Sequence, residues 1–428
     1  MGILSRSGNR ACGPVAAQPA RTPNGWFEAW RMWLDESQRL LLLAALLKGA
    51  SAAAWRQWRR TNEVDALEGQ TAGLTPMLYH NLEDGGVDRA DLLRLRGTYK
   101  FHWAKYQLAR KTMARAVDCL ADVNVAWALH RESALAFGGH YLPGTRPLQR
   151  LDLLIKADDL AKADAALRVG GWSAFRSMPD QRLMPFLPGM LYQHATEFPV
   201  YLVWHPSCLL ATDAANDAFW QRLRTQEMEG VSISRPDTTD LLLIASVHTA
   251  TWGAACRGPV TFSDLYVLAT GAGGQVDWQA LRERVVDLSV SAEVFEMLRR
   301  FEREVHACSL HTYFPPELLA ATEYSDYSGG GTLWRGAQGS KYDLVSRLAD
   351  HWRLYRRVCQ VHDDAVIPLG FFAYLLLAHR WYWQVSSVWR MPLRLARIWF
   401  ARLGSAKTPL RERGEAVQPK DSSGAHNL

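Results

Sequence analysis

Arg150 and Asp152 are the pair whose types and spacing bear most directly on chemistry. They lie in the run Arg146-Pro147-Leu148-Gln149-Arg150-Leu151-Asp152-Leu153-Leu154-Ile155. Its apolar content reads as a buried strand, and residues two apart on a strand share a face. Arg150, Asp152 and Leu154 therefore look one way, and Leu151, Leu153 and Ile155 the other. Two acids at positions 150 and 152 would grip a divalent cation; an arginine and one acid would not. Other candidates are sparser. His306, Cys308 and His311 form an H-x-C-x-x-H spacing that lacks a fourth zinc ligand. His205, before Pro206, reads as a hydrogen-bonded structural histidine. Asp158 and Asp159 read as helix-cap residues, and His248, Trp252 and Asp264 as residues that pack helices together.

The strand needs a frame to hold its face in place. Residues 123–129 are a strand candidate, followed by a short helix through Ala134, Leu135 and Ala136 to Gly138-Gly139. After the 150–156 strand, a helix over 160–167 ends at Gly170-Gly171, and residues 198–204 supply a third strand. Strand, helix, strand, helix, strand predicts a small mixed sheet. Helical patterns surround it. Residues 26–120 include the apolar stretch 40–47, a segment opened by Thr75-Pro76 and stopped by Asp84-Gly85-Gly86, and a long pattern over 99–120. Helices return from Asp237, with another over 277–286.

Composition sets the class. Hydrophobic residues are 48% of the chain and charged residues 21%, enough apolar material for a core. Six cysteines are scattered without a C-x-x-C spacing, which points to reduced thiols and a cytoplasmic setting. Residues 1–20 show no apolar signal core, and Arg6 stands where a myristoylation pattern needs Ser or Thr. The net charge of +6 is local: residues 380–413 hold eight bases and one acid, Glu412, leaving 41 basic against 42 acidic residues elsewhere. No nucleic-acid groove along the whole chain is expected.

Residues 365–378 are uncharged but short of the ~20 needed to span a bilayer. Beyond them Arg390, Arg394 and Arg397 fall at i, i+4 and i+7, with Arg402 following. Leu395, Ile398, Trp399 and Leu403 are available to another face. Such a helix could lie on an anionic membrane surface, peripheral to its inner face. The favoured reading is that it docks on the protein's own core with its arginines in water.

Four segments together carry a family resemblance. They are Gly73-Leu74-Thr75-Pro76-Met77-Leu78-Tyr79-His80-Asn81-Leu82; Arg131-Glu132-Ser133-Ala134-Leu135-Ala136; the 146–155 strand; and Val203-Trp204-His205 with residues 241–248 and Phe262-Ser263-Asp264-Leu265. Over roughly residues 36–315 the chain resembles the uncharacterised nucleotidyltransferases of the polymerase-β-like superfamily. The resemblance implies a D-x-D pair and a third carboxylate on a neighbouring strand, holding two Mg²⁺ ions that act on a nucleoside triphosphate. It also implies a glycine turn near the phosphates. Matched position by position, the first acid is Arg150 and the second survives as Asp152. The third is Val203, the turn glycine is Glu132, and Ser133 keeps a hydroxyl as the phosphate-turn candidate. An ion pair of Arg150 with Glu132 or Asp152 is expected where metal would sit.

These readings predict an α+β protein. Residues 1–25 form a disordered lead-in, 26–121 a helical region, 122–236 a nucleotidyltransferase-like core, and 237–325 further helices. A loop over 326–345, a basic helical segment over 346–404 and a disordered tail over 405–428 complete the chain. Three functions stay open. The first is a degenerate site, with no cofactor, in a binding, regulatory or scaffolding subunit beside polysaccharide-assembly proteins. The second is an active transferase in which Asp152 works with Glu132 or Glu197. The third is a membrane adaptor acting through Arg390, Arg394, Arg397, Trp399 and Arg402.

Overall fold

The computed structural model describes residues 34–228, 230–252, 258–271, 274–308, 310, 315, 344–361 and 368–383. The chain begins there with helices α1 (Glu36–Leu46), α2 (Ser51–Arg59), α3 (Gly69–Ala72), α4 (Thr75–Leu82) and α5 (Arg89–Asp122). Local chemistry fixes their ends. Asp35 and Gln38 form a reciprocal capping box on α1, and Pro76 sits in the first turn of α4, where its missing N–H costs nothing. The Asp88 carboxylate accepts the Ala90 N–H at 2.6 Å, starting α5 ten residues earlier than the apolar pattern over 99–120 suggests. At the other end Asn124 adopts φ 54 and the Val125 N–H closes on Leu120 O at 2.9 Å. This left-handed turn takes up residues expected to be strand, so β1 is only Trp127–Leu129.

Then follow α6 (Arg131–Phe137), β2 (Leu151–Ile155), α7 (Leu160–Val169), β3 (Ser173–Ala174), β4 (Met190–Gln193) and β5 (Val200–Val203). The sheet order is β1-β2-β5-β4-β3, with β2 and β5 parallel and the other neighbours antiparallel. β2 lies inside the sheet with all five residues buried, which is why it reads as a continuous apolar run. After α8 (Asp213–Gln221), strands β6 (Arg224–Met228) and β7 (Val231–Arg235) form a separate hairpin, with Gly230 at φ 83 in its turn.

Helix α9 (Thr238–Trp252) meets α6, helices α10 (Pro259–Thr270), α11 (Trp278–Asp287) and α12 (Ser291–Ala307) pack around it, and α13 (Leu344–Val361) and α14 (Pro368–Trp383) follow. Asp237 starts α9 through the Asp240 N–H, and Asp277 starts α11 through the Ala280 N–H. Arg39 on α1 pairs with Glu304 on α12 at 3.0 Å, so the first and later helices meet. Phe186 packs against Tyr355 of α13 and Tyr374 of α14, joining them to the segment before β4. The architecture is α+β: a mixed five-stranded sheet between helical regions. No helix among the described residues is long and apolar enough to cross a membrane. The expected lead-in over 1–25, the 326–345 loop except its last two positions, and the tail over 405–428 lie outside the described residues.

Candidate functional site

β2 carries Asp152 into the middle of the sheet. Its register places Asp152 opposite Tyr201 and Leu154 opposite Val203 on β5. Directly paired residues share a face, so Tyr201 neighbours the Asp152 carboxylate and Val203 lies two residues further along that face. Val203 is buried among apolar residues. Arg150, just before β2, folds back along the same face: its Nε donates to Asp152 Oδ1 at 2.9 Å. Its guanidinium lies over the Tyr201 ring, 3.9 Å from the centroid. Such stacking suits a planar, weakly hydrated cation. Asp152 is fully buried, whereas the Arg150 side chain stays 32% exposed. The second carboxylate oxygen, Oδ2, is buried without a hydrogen-bond partner among the described residues. Burial pushes the Asp152 carboxyl upward, against the pull of Arg150 and Arg131.

The β1–α6 junction forms the other wall. The His130 N–H donates to Asp152 O at 3.0 Å, and the Asp152 N–H donates to Ser133 Oγ at 2.8 Å. Ser133 is therefore buried and occupied in tying α6 to β2. The left-handed backbone at this turn falls on Arg131, with φ 44, and not on Glu132. Arg131 Nη2 lies 2.7 Å from His248 Nε2 on α9. Burial, followed by Arg131, keeps the His248 imidazole well below its ordinary value, so it is neutral and accepts from the guanidinium. His130, fully buried beside Arg131, is held neutral in the same way.

A second arginine locks the entry to β2. Arg146 Nε and Nη2 donate to the two carboxylate oxygens of Asp264 on α10 at 2.8 and 2.9 Å. Tyr141 donates its hydroxyl to the same carboxylate at 2.8 Å, and Arg146 lies 3.5 Å from Glu132. Burial works against the Arg146 charge, but Asp264 and Glu132 more than offset it and raise its pKa. Burial would likewise raise Glu132, yet Arg146, Arg131 and Arg150 hold it below the usual carboxylate range. Asp264, read from sequence as a helix-packing residue, is thus the carboxylate that neutralises a buried arginine.

This arrangement can hold an ion-pair network but not the two-metal centre that the resemblance implies. The Arg150 guanidinium takes one of the two Asp152 carboxylate oxygens and sets a positive charge beside the other, and Val203 offers no ligand. At ~4 Å a guanidinium repels a divalent ion by several kcal/mol even at an effective dielectric of ~20. Among the described residues no group of three His, Cys, Asp or Glu side chains could hold a metal ion. Glu197, in the loop before β5, is held by α5 side chains: it accepts from Thr112 at 2.8 Å and from Arg115 at 2.5 Å. Asp158 and Asp159 sit in a 3-10 turn before α7, and neither side chain caps it. His205 lies 3.1 Å from Met184 O. His311 lies outside the described residues, as do Arg390, Arg394, Arg397, Trp399 and Arg402, so the basic C-terminal face has no structural description.

Sequence reasoning missed Arg131, Tyr141, Arg146, Tyr201 and His248 as members of this cluster. Arg146 and Asp264 both stand in the segments that carry the resemblance. A signal was therefore present, but 118 positions separate the two partners. A family model described as an uncharacterised nucleotidyltransferase matches residues 69–303, from α3 into α12. No curated protein matches the chain.

Proposed function

The chain belongs to the uncharacterised nucleotidyltransferase family, and we propose that it is a member whose metal centre has been rebuilt as an arginine–carboxylate cluster. The observation that carries this reading is the Arg150–Asp152 contact at 2.9 Å, on the strand where a metal-binding pair would stand. Around it Arg131, Arg146 and Arg150 face Glu132, Asp152 and Asp264, so three cations balance three anions. A cluster already neutral offers a divalent cation little attraction. The protein then works by binding, as a regulatory or scaffolding subunit. On the family resemblance its partner is a polysaccharide-assembly protein.

Calorimetry tests this with Mg-ATP and with Mg²⁺ alone on the native chain, Arg150→Asp and Asp152→Ala. The expected result is no Mg²⁺-dependent nucleotide binding by the native chain. Mg-ATP binding that is clear in the native chain and gone in Asp152→Ala would overturn the reading.

One observation favours a second reading, an active transferase that uses Asp152 with Glu132. Asp152 Oδ2 has no hydrogen-bond partner among the described residues, and the Glu132 side chain remains partly exposed. That reading requires Arg150 to swing away from Asp152. It predicts Mn²⁺- or Mg²⁺-dependent transfer of labelled nucleotide that both Glu132→Gln and Asp152→Asn abolish.

A further inference from the structure

Helix α5 carries 26 consecutive residues, 92–117, with seven basic side chains and no acidic one. At 1.5 Å per residue this is a rod about 39 Å long. Its inner face is ordinary core: Leu95, Tyr106, Ala109, Met113, Ala116 and Leu120 are buried. Its outer face is unusual. Leu93, Lys100, Ala104 and Lys111 recur at helical spacing along one exposed stripe, with Phe101 and Leu108 together on one flank, while Trp103 on the opposite flank packs against the Gly144 turn. Leu93, Phe101 and Leu108 are 56%, 58% and 37% exposed. Large apolar groups this exposed, on a face that also carries cations, mark a contact surface more often than chance.

The charges say what kind of surface it meets. Arg94 pairs with Asp65 at one end and Arg115 with Glu197 at the other. Between them Arg96, Lys100 and Lys111 are exposed and form no ion pair among the described residues. Lys105 lies over the Phe101 ring at 5.2 Å. The face is therefore cationic and its complement anionic. Single-stranded nucleic acid uses aromatic rings for stacking but has no use for exposed leucines. An anionic bilayer takes both: aromatic and aliphatic side chains enter the headgroup boundary while lysines meet lipid phosphates.

We infer that the outer face of α5 docks the protein on an anionic phospholipid surface, with Leu93, Phe101 and Leu108 entering the interface and Lys100 and Lys111 facing headgroups. None of these residues belongs to the ion-pair cluster or to the basic segment after residue 383. Each cation near such a membrane strengthens binding about fivefold.

The test is flotation of the full chain with phosphatidylcholine vesicles, with and without about 30% phosphatidylserine. Binding is expected only with phosphatidylserine and falls as salt rises. Lys100→Glu with Lys111→Glu should weaken it by about 25-fold or more, and Phe101→Ser with Leu108→Ser should weaken it at every salt concentration. Lys100→Arg with Lys111→Arg should retain binding, and unchanged melting temperatures show that the exposed substitutions leave the fold intact. The inference is overturned if the charge-reversed chain floats as the native one does. The same holds if binding is lost only on reversing Arg390, Arg394 and Arg397, or if the native chain ignores the vesicles and retains RNA instead.

Discussion

Two charged regions of this molecule follow opposite rules. At β2 and α6, Arg131, Arg146 and Arg150 are buried or half-buried against Glu132, Asp152 and Asp264, one sign matched to the other. On α5, seven basic residues over 26 positions meet no acid in their own stretch, and the central ones look outward. The difference is what solvent allows. A buried guanidinium has lost its water and needs a carboxylate within hydrogen-bond reach. An exposed lysine keeps its water and can wait for a partner outside the chain. The first region spends its charges on the fold, and the second leaves them available.

Breaking the buried side should have the largest effect. Asp264→Ala leaves Arg146 with Glu132 alone, 3.5 Å away, and Tyr141 with only the longer Ser263 contact, and is expected to cost about 3–5 kcal/mol. Thermal unfolding measures it, and a melting temperature equal to the native one would show that the cluster does not hold the fold.

Acid should act next. Burial, followed by Arg235, lowers the pKa of His140 to about 4. The unfolded chain therefore takes up a proton that the folded chain refuses. This stability is fully present above the unfolded value of about 6.5 and is lost as pH falls towards 4, amounting to about 3 kcal/mol. His130 and His248 push the same way. Melting temperatures from pH 7 to 4.5 should fall, and His140→Phe should flatten the slope. An identical slope in both chains would remove His140 from the account.

Arg150→Met is the finer cut. The side chain is a third exposed, so solvent discounts the pair, and a loss of about 1–2 kcal/mol is expected. The sign with pH is distinctive. Without Arg150, burial raises the Asp152 pKa further. The variant should therefore match the native chain best at low pH and fall behind as pH rises through the folded value. Urea unfolding at pH 5 and 8 reads this, and a deficit that shrinks with pH contradicts it.

On the outward side, Lys100→Glu with Lys111→Glu should change stability by less than about 0.5 kcal/mol. A larger loss by the same measurement would erase the contrast between the two regions.

Sequence patterning located the parts that obey strong local rules. β2 was legible because an internal strand buries both faces, and α4 because Pro76 and Gly85 punctuate it. β6 was not: Arg224-Thr225-Gln226-Glu227-Met228 is polar and largely at the surface, and only its hairpin with β7 makes it a strand. The Arg150–Asp152 contact followed from a two-residue spacing. The Arg146–Asp264 contact depends on how α10 returns to the sheet, which no spacing records. The basic face of α5 was hidden by arithmetic, since acids elsewhere cancel it in any chain-wide total.

The Arg146–Asp264 and Arg131–His248 contacts also set how finely this protein can be cut. All five strands of the sheet precede residue 204, and its hairpin ends at Arg235. A fragment stopping there would look complete on a topology diagram. It would nevertheless carry two arginines whose partners stay behind on α9 and α10. The smallest autonomous unit that contains β2 is therefore expected to run through α10, making the later helices part of the sheet's own folding unit.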